Sequence, residues 1–459
     1  MAQARENILG TEKISRLLLH FSLPTVMTLM VNVLYNIADQ IFIGHAEGIY
    51  GMAATNAAFP MMTIGAALAL MVGDGCASRI SLCLGRREQE EADKTFGNAL
   101  VLLALFGILL AVFMIFGRRF FALLFGATAD TLEMSMSYLG IVALGLPFQM
   151  TNMAFTAIIR SDGNPGYTMR CMMIGAGLNV ILDPVFIFGL HMGVTGAAVA
   201  TIIGQVVAGI LCLLYIPKLE HFRFAKENLR PSQKTCGGIL LLGVPSGCMQ
   251  SATALMQIVM NRLMVRCGSA TIYGSEMVLS CYGAMMKIYQ IAHAMFVGVA
   301  SGTQPINGYN YGAKQYGRVW QTFRIAVIVS FVISGVWFLL FQTCGGIMGR
   351  LFVEDTPLYL ECMKLVLHVY MMGFFVYGLP QVTASFFQAV GHPWKSLLVA
   401  LSRQVFFLIP LSLFFAKKRG LVGVLAAAPV ADVLAFLLSA GLIFVFFRRW
   451  KKQGIRYIS

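Results

Sequence analysis

The 459-residue sequence predicts an all-α integral membrane protein of twelve transmembrane helices in two six-helix repeats. Three observations predict it. Hydrophobic residues make up 58% of the chain and charged residues 12%, with a mean hydropathy of +0.76, whereas soluble domains carry about 25% charged residues. Apolar runs of about 20 residues, the length that crosses a bilayer, recur along the whole chain. The second half also repeats the first.

The spans lie near 17–44, 52–80, 95–117, 132–159, 168–190, 194–216, 237–262, 272–304, 320–343, 358–389, 395–416 and 421–447. The loops between them are too short for a soluble domain. The first sixteen residues are polar and the first apolar run is full length, unlike a cleavable signal. Ten Cys lie mostly within spans, without CxxC or metal spacing, and read as small apolar packing residues.

The repeat shows in ordered matches: "FSLPTVM" with "LGVPSGC", "LGRREQEEADKTF" with "YGAKQYGRVWQTF", "ALGLPFQM" with "VYGLPQVT", "DGNPGY" with "AVGHPWK", "LDPVF" with "LIPLS", and "GVTGAAVA" with "GLVGVLAA". An even number of spans per repeat returns the chain to its starting side, so both halves share one orientation. The expected units are an N-terminal lobe over 1–216, a linker over 217–236 and a C-terminal lobe over 237–459. Pro24, Pro147, Pro184, Pro245, Pro380 and Pro410 fall within spans, where each frees a backbone carbonyl and bends its helix.

The net charge of +14 does not gather into the basic domain that nucleic-acid binding needs. It sorts by loop instead. About 23 Lys and Arg, with Arg5, Arg160 and Arg456 among them, fall on the N-terminal side against about eight on the other. The positive-inside rule then places both termini in the cytoplasm.

Two carboxylates interrupt this pattern. Asp39 lies inside the first span and Asp183 inside the fifth, where a charge costs roughly 2.5–3.5 kcal/mol on insertion scales. Around them run polar stripes at helical spacing: Asn32, Tyr35, Asn36 and Asp39; Tyr138, Gln149, Asn152 and Thr156; Asn179 and Asp183; Thr201 and Gln205; Gln250, Thr253, Gln257 and Asn261; Gln381, Ser385 and Gln388. A lone Ser or Thr in a span usually bonds helix to helix. Six aligned stripes point to a shared polar cavity, since lipid offers such faces no partner.

Depth brings Tyr35, Asp39, Tyr138, Asn179, Asp183 and Thr201 to one level of the N-terminal half. Their counterparts differ: Ile409 stands for Asp183, and Asp39 has an apolar counterpart near Met260. Two carboxylates in a low-dielectric cavity resist ionising together, so the pair can share one proton. A hard cation held by Asp39, Asn179, Asp183 and Thr201 is the alternative, and the spacing does not choose between H+ and Na+.

Lys287 is mid-span and reads as lining the C-terminal lobe's cavity, with Glu276 nearer the outer mouth. Arg403 reads as an anchor near the cytoplasmic end, and Asp74 and Asp432 as interfacial. His293 and His368 lack the partners at helical spacing that an intramembrane enzyme would need. No ATP-binding P-loop is present. Methionine numbers 28 and aromatic residues make up 12%, a composition that suits adaptable pockets and organic cations.

The segments "PTVMTLMVNVLYNIADQIFIG", "LGRREQEEA", "SDGNPGYTM", "LNVILDPVFIFGLHMGVTGAAVATIIGQ" and "QPINGYNYGAKQYGRV" resemble the multidrug and toxic compound extrusion (MATE) family, nearest its bacterial DinF/MepA-like branch. The resemblance implies a V-shaped, two-lobe transporter like others of the MOP superfamily. It implies export of cationic or amphipathic drugs from the bacterial cell across the cytoplasmic membrane, in exchange for H+ or Na+. It carries an ion site over to Asp39, Asn179, Asp183 and Thr201, with Tyr35 and Tyr138 as neighbours and Asn32 and Asn152 facing drug. Asn36, Gln149, Thr156, Gln205, Gln257 and Lys287 complete the expected substrate cavity. Other branches place acids on the seventh and tenth helices, where this chain has Gln257 and Gln381. No cofactor, no nucleic-acid partner and no metal other than a coupling Na+ are expected, and a monomer should suffice. The rival readings are a lipid-linked precursor flippase, which would need a strongly basic cavity, and an intramembrane enzyme.

Overall fold

The computed structural model describes residues 8–124, 131–350 and 357–455, and, within these, not the side chains of 48–50, 52–54 and 56–59. Arg5 and Arg456 of the expected charge pattern lie outside the described residues. The described chain is helical almost throughout. Helical backbone runs unbroken from Ile14 to Gly85, where the sequence suggests a loop between two spans. Yet the Leu9 carbonyl accepts from Asn310 and Arg318, and Gly85 lies against the Tyr309 carbonyl. Both ends therefore meet the same helix terminus, and the chain turns back around residues 48–59.

The spans are α1 Ile14–Glu47, α2 Pro60–Arg86 and α3 Gln89–Leu124, then α4 Leu132–Ser161 and α5 Pro165–Gly189, whose last turn from Val185 is π-helical. α6 Gly193–Leu213, α7 Gln233–Gly268, α8 Gly274–Gly312 and α9 Tyr316–Thr343 follow. α10 is broken, Pro357–Tyr370 and Phe374–Ala389 meeting at 42°. α11 (393–419) and α12 (421–452) are separated by Gly420, whose φ of 57° no helix tolerates.

The repeat is written in the backbone. Among the described residues, left-handed residues recur in pairs at matching points: Arg87 (φ 64°) with Lys314 (58°), Gly163 (97°) with Gly391 (80°), and Gly193 (56°) with Gly420 (57°). After the second pair a proline opens the helix in both halves, Pro165 in α5 and Pro393 in α11, since proline's missing N–H costs nothing at a first turn. Both prolines that the sequence matches as "LDPVF" and "LIPLS" sit at π-helical segments, Val185–Gly189 after Pro184 and Ser402–Leu408 before Pro410.

Lipid-facing surfaces are apolar. On α3 the exposed side chains include Leu105, Ile108, Leu109, Val112, Phe113, Phe116 and Phe120, a stripe at helical spacing. Within each half the interior is a close-packed cluster, around Tyr138, Leu139, Val142 and Leu146 in the first and around Tyr282, Met285, Phe296 and Phe374 in the second.

The halves meet at the end that carries both described termini, and small residues allow it. Gly298 and Gly302 of α8 abut Val26 and Ser22 of α1, Gly243 of α7 abuts the Met71 backbone of α2, and Gly75 abuts the Ile239 carbonyl. At the same end the linker is clamped. Asp162 accepts from the backbone N–H of Glu220 and His221 and from the Tyr215 hydroxyl at 2.9 Å, while the His221 ring meets the Asp162 backbone carbonyl at 2.8 Å.

Burial by itself would lower the His221 pKa, but its bond to Asp162 and that carboxylate's charge outweigh burial and hold it above the usual histidine value. A raised folded-state pKa stabilises fully below the unfolded value of about 6.5 and loses that stabilisation as pH rises through the folded value. The melting-temperature difference in detergent between wild type and His221→Gln should therefore be larger at pH 5.5 than at pH 8.5. An equal or reversed difference would contradict the clamp.

Candidate functional site

α5 and α6 cross at two glycines. A Cβ on Gly204 would lie 2.6 Å from the Gly175 carbonyl oxygen, and one on Gly175 2.8 Å from that of Gly204. The close crossing brings together the residues about one turn further on. Asn179 Nδ2 donates to Thr201 Oγ1 and to Asp183 Oδ1, both at 3.3 Å. Asp183 stands at the last α-helical turn, where Pro184 and the π-helical segment begin, and π turns often mark functional positions.

Asp183 is fully buried, and Asp39 of α1 and Asn179 nearly so. Asp39 Oδ1, Asp183 Oδ2 and Asn179 Oδ1 have no hydrogen-bond partner. Tyr35 and Tyr138 stand close enough to both carboxylates for their charges to interact, as do the carboxylates with each other. Beside this group lies a cavity of about 30 Å³, lined by Tyr35, Asn152, Asn179, Thr201 and Gln205 among others. It has room for about two waters. Each unsatisfied buried polar atom costs about 1–3 kcal/mol, so this cluster of oxygens favours whatever supplies a positive charge, a proton or a small oxygen-liking cation.

The family model MatE matches residues 24–185 and again 245–414, more than half of the chain. The chain belongs to the MATE family. The two matches start at 24 and 245, the positions of the paired prolines. The family is one of transporters, not enzymes, and this MATE protein is a multi-span membrane protein. It is similar to the multidrug export protein MepA of Staphylococcus haemolyticus strain JCSC1435 at 24% identity, covering 94% of this chain and 93% of that protein. It is 26% identical to MepA of Staphylococcus aureus strain MRSA252, with 93% of each covered. Among solved structures, the MATE multidrug transporter DinF-BH in complex with rhodamine 6G superposes with a TM-score of 0.86 at 35% identity, over 97% of this chain and 98% of that one. An outward-facing MATE transporter of the MOP superfamily superposes at 0.88 and 22% identity, over 97% and 100%, a likeness of fold.

The sequence stripes separate in three dimensions. Asp39 points into the N-terminal half, whereas Asn36 is exposed and donates to the Asn32 carbonyl at 2.6 Å. Asn152 and Gln205 line the small cavity, and Thr156 bonds back to the Asn152 carbonyl at 2.9 Å. Gln205 has both amide atoms unpartnered, and Gln149 its Oε1. Gln257 is half-buried and Lys287 exposed.

Several readings of polar residues need correction. Asp74 and Arg160 are not interfacial or loop charges but an ion pair at 3.7 Å, with Arg160 buried and Asp74 half-buried. Arg160 also donates to Gln304 of α8 at 3.1 Å, Asp74 accepts from Ser246 of α7 at 2.7 Å, and Gln304 donates to Ser78 at 2.7 Å, so this network ties the two halves. Arg403 is not an anchor and Asp432 not interfacial: they form a buried ion pair. Arg403 also lies over the rings of Tyr289 and Tyr377. His293, which has no catalytic partner at helical spacing, meets the Tyr377 hydroxyl at 2.8 Å, and that hydroxyl meets Tyr289 at 2.7 Å and accepts from Gln381 at 3.1 Å. The partners of these groups sit on other helices, out of reach of spacing along one.

Arg403→Ala leaves Asp432 buried and uncompensated, which should cost about 3–5 kcal/mol, read as a lowered detergent melting temperature and earlier unfolding in denaturant. Replacing both partners, Arg403→Met with Asp432→Leu, should recover most of it. A single variant as stable as wild type would refute the pairing's structural role.

Proposed function

We propose that this protein is a secondary multidrug antiporter of the bacterial cytoplasmic membrane. It exports cationic or amphipathic organic compounds in exchange for H+ or Na+ by alternating access. Its two lobes are residues 1–216 and 237–459, joined by a cytoplasmic linker over 217–236, with both termini cytoplasmic, and one chain suffices for transport. The halves join at the end bearing the termini, so the conformation is outward-facing.

The observation that carries this reading is the set of unpartnered oxygens on Asp39, Asp183 and Asn179, with Thr201 beside them. In the outward-facing state an ion enters this site and neutralises it, and drug leaves. Inward opening then reverses both affinities. Tyr35 and Tyr138 shape the site, and the cleft beside it, with Asn32, Asn36, Gln149, Asn152, Thr156, Gln205, Gln257 and Lys287, receives the drug. Shifting the states from 1:99 to 99:1 takes about 5.5 kcal/mol, and each charge entering contributes about 2.3 kcal/mol per 100 mV, so one or two cations suffice. DinF-BH binds rhodamine 6G and the MepA proteins are multidrug exporters, which supports organic drugs as substrates. A flippase for lipid pyrophosphates fits less well, because acids rather than clustered bases line the N-terminal half.

Proteoliposomes loaded with rhodamine 6G and given an inward H+ or Na+ gradient provide the test. Wild type should export dye down one of the two gradients. Asp39→Asn and Asp183→Asn should each abolish the gradient's effect while dye still binds. Undiminished gradient-driven export in both variants would refute the coupling site.

A further inference from the structure

The exposed stripe of α8 differs from the lipid-facing stripes elsewhere. It consists of Glu276, Ser280, Gly283, Lys287 and Gln290, polar or small at helical spacing, where the middle of α3 exposes Leu105, Ile108, Leu109, Val112, Phe113 and Phe116. Its direction is fixed lower down the same helix. Gly298 and Gly302 abut α1 of the other half, and Lys287 precedes Gly298 by three turns within about 20°. The stripe therefore looks across the cleft between the lobes. Space there is open: a Cβ on Gly283, one turn from Lys287, would meet nothing within 4 Å.

Lys287 has no ion-pair partner among the described residues. Glu276, on its own face, is about 16 Å away along the helix, and the near end of α8 is about 20 Å away, well beyond the reach of a four-carbon stem. Neither pairing nor snorkelling accounts for it. Its depth is informative too. Rising 11 residues from Gly298 on α8 corresponds to rising 11 from Val26 on α1, which reaches Ile37, between Tyr35 and Asp39. One wall of the cleft thus carries an ammonium at the level where the opposite half carries its buried carboxylates.

We propose that Lys287 anchors a carboxylate of the transported compound, so that the cleft takes anionic and zwitterionic amphiphiles as well as cationic ones. While the cleft is wet, water solvates the ammonium. As the lobes close on a substrate that water is lost, and a buried charge without a partner is penalised. A substrate carboxylate replaces the water, whereas a purely cationic compound leaves Lys287 uncompensated and is disfavoured. This inference rests on the reading of the cleft as the drug pathway.

The test uses two dyes that differ by one group, rhodamine 6G, which is an ethyl ester, and its free carboxylic acid. Gradient-driven export of each is followed in proteoliposomes of wild type, Lys287→Gln and Lys287→Arg. Lys287→Gln should raise the KM for the acid about tenfold or more and lower that for the ester, and Lys287→Arg should restore the acid. Should Lys287→Gln export neither dye, fluorescence anisotropy of each dye on the purified variant decides in the same terms. Wild type ignoring the acid, or both constants moving together or not at all, would overturn the inference. Failure of wild type to export either dye would instead overturn the antiport reading.

Discussion

A polar side chain at bilayer depth must find a partner inside the protein or face a wet cleft, because hydrocarbon offers it nothing. The arrangement of this chain follows from that constraint. Arg403 with Asp432 and Arg160 with Asp74 take the first course. On the reading proposed above, the exposed polar face of α8 takes the second. Asp39, Asp183 and Asn179 do neither fully, since each keeps an unpartnered oxygen in a nearly dry site. The structural pairs differ in having an opposite charge within reach, although Arg160 too keeps its Nε unpartnered. The ion site proposed above needs its surplus of unpartnered oxygens, since oxygens already satisfied by their own protein would leave an entering ion nothing to gain.

Much of this was legible in the sequence, because its causes are local. Most spans follow from hydropathy, α8 among the described helices being too polar to pass as one by that measure, and the duplication follows from ordered matches that reappear as left-handed residues at Arg87 and Lys314, Gly163 and Gly391, Gly193 and Gly420. The meeting of Asn179, Asp183 and Thr201 was readable from depth and helical spacing. Partners on distant helices were not. Arg403 lies 29 residues from Asp432, Arg160 lies 144 from Gln304, and Tyr377 lies 84 from His293. Counting such charges by loop treats Arg160 as surface topology, although a charge near a span's end can as well turn inward. The first-span stripe also divides, with Asp39 buried and Asn36 exposed, because residues three and four apart share a helix side only broadly.

The two halves have parted in chemistry while keeping their backbone. Pro184 and Pro410 both adjoin π-helical turns, so each half has a helix whose hydrogen bonding is already loosened at equivalent places. In the first half that weak point holds Asp183. In the second, Ile409 stands there, and the nearby charge, Arg403, is neutralised by Asp432 and stacked on tyrosines. The charge nearest that point in the second half thus has its counter-ion built in, whereas Lys287, exposed on α8, has no ion-pair partner among the described residues. On the antiport reading proposed above, the half that holds Asp183 is the one whose charge changes on ion binding, so a single ion-binding event there biases the two closures from one side only.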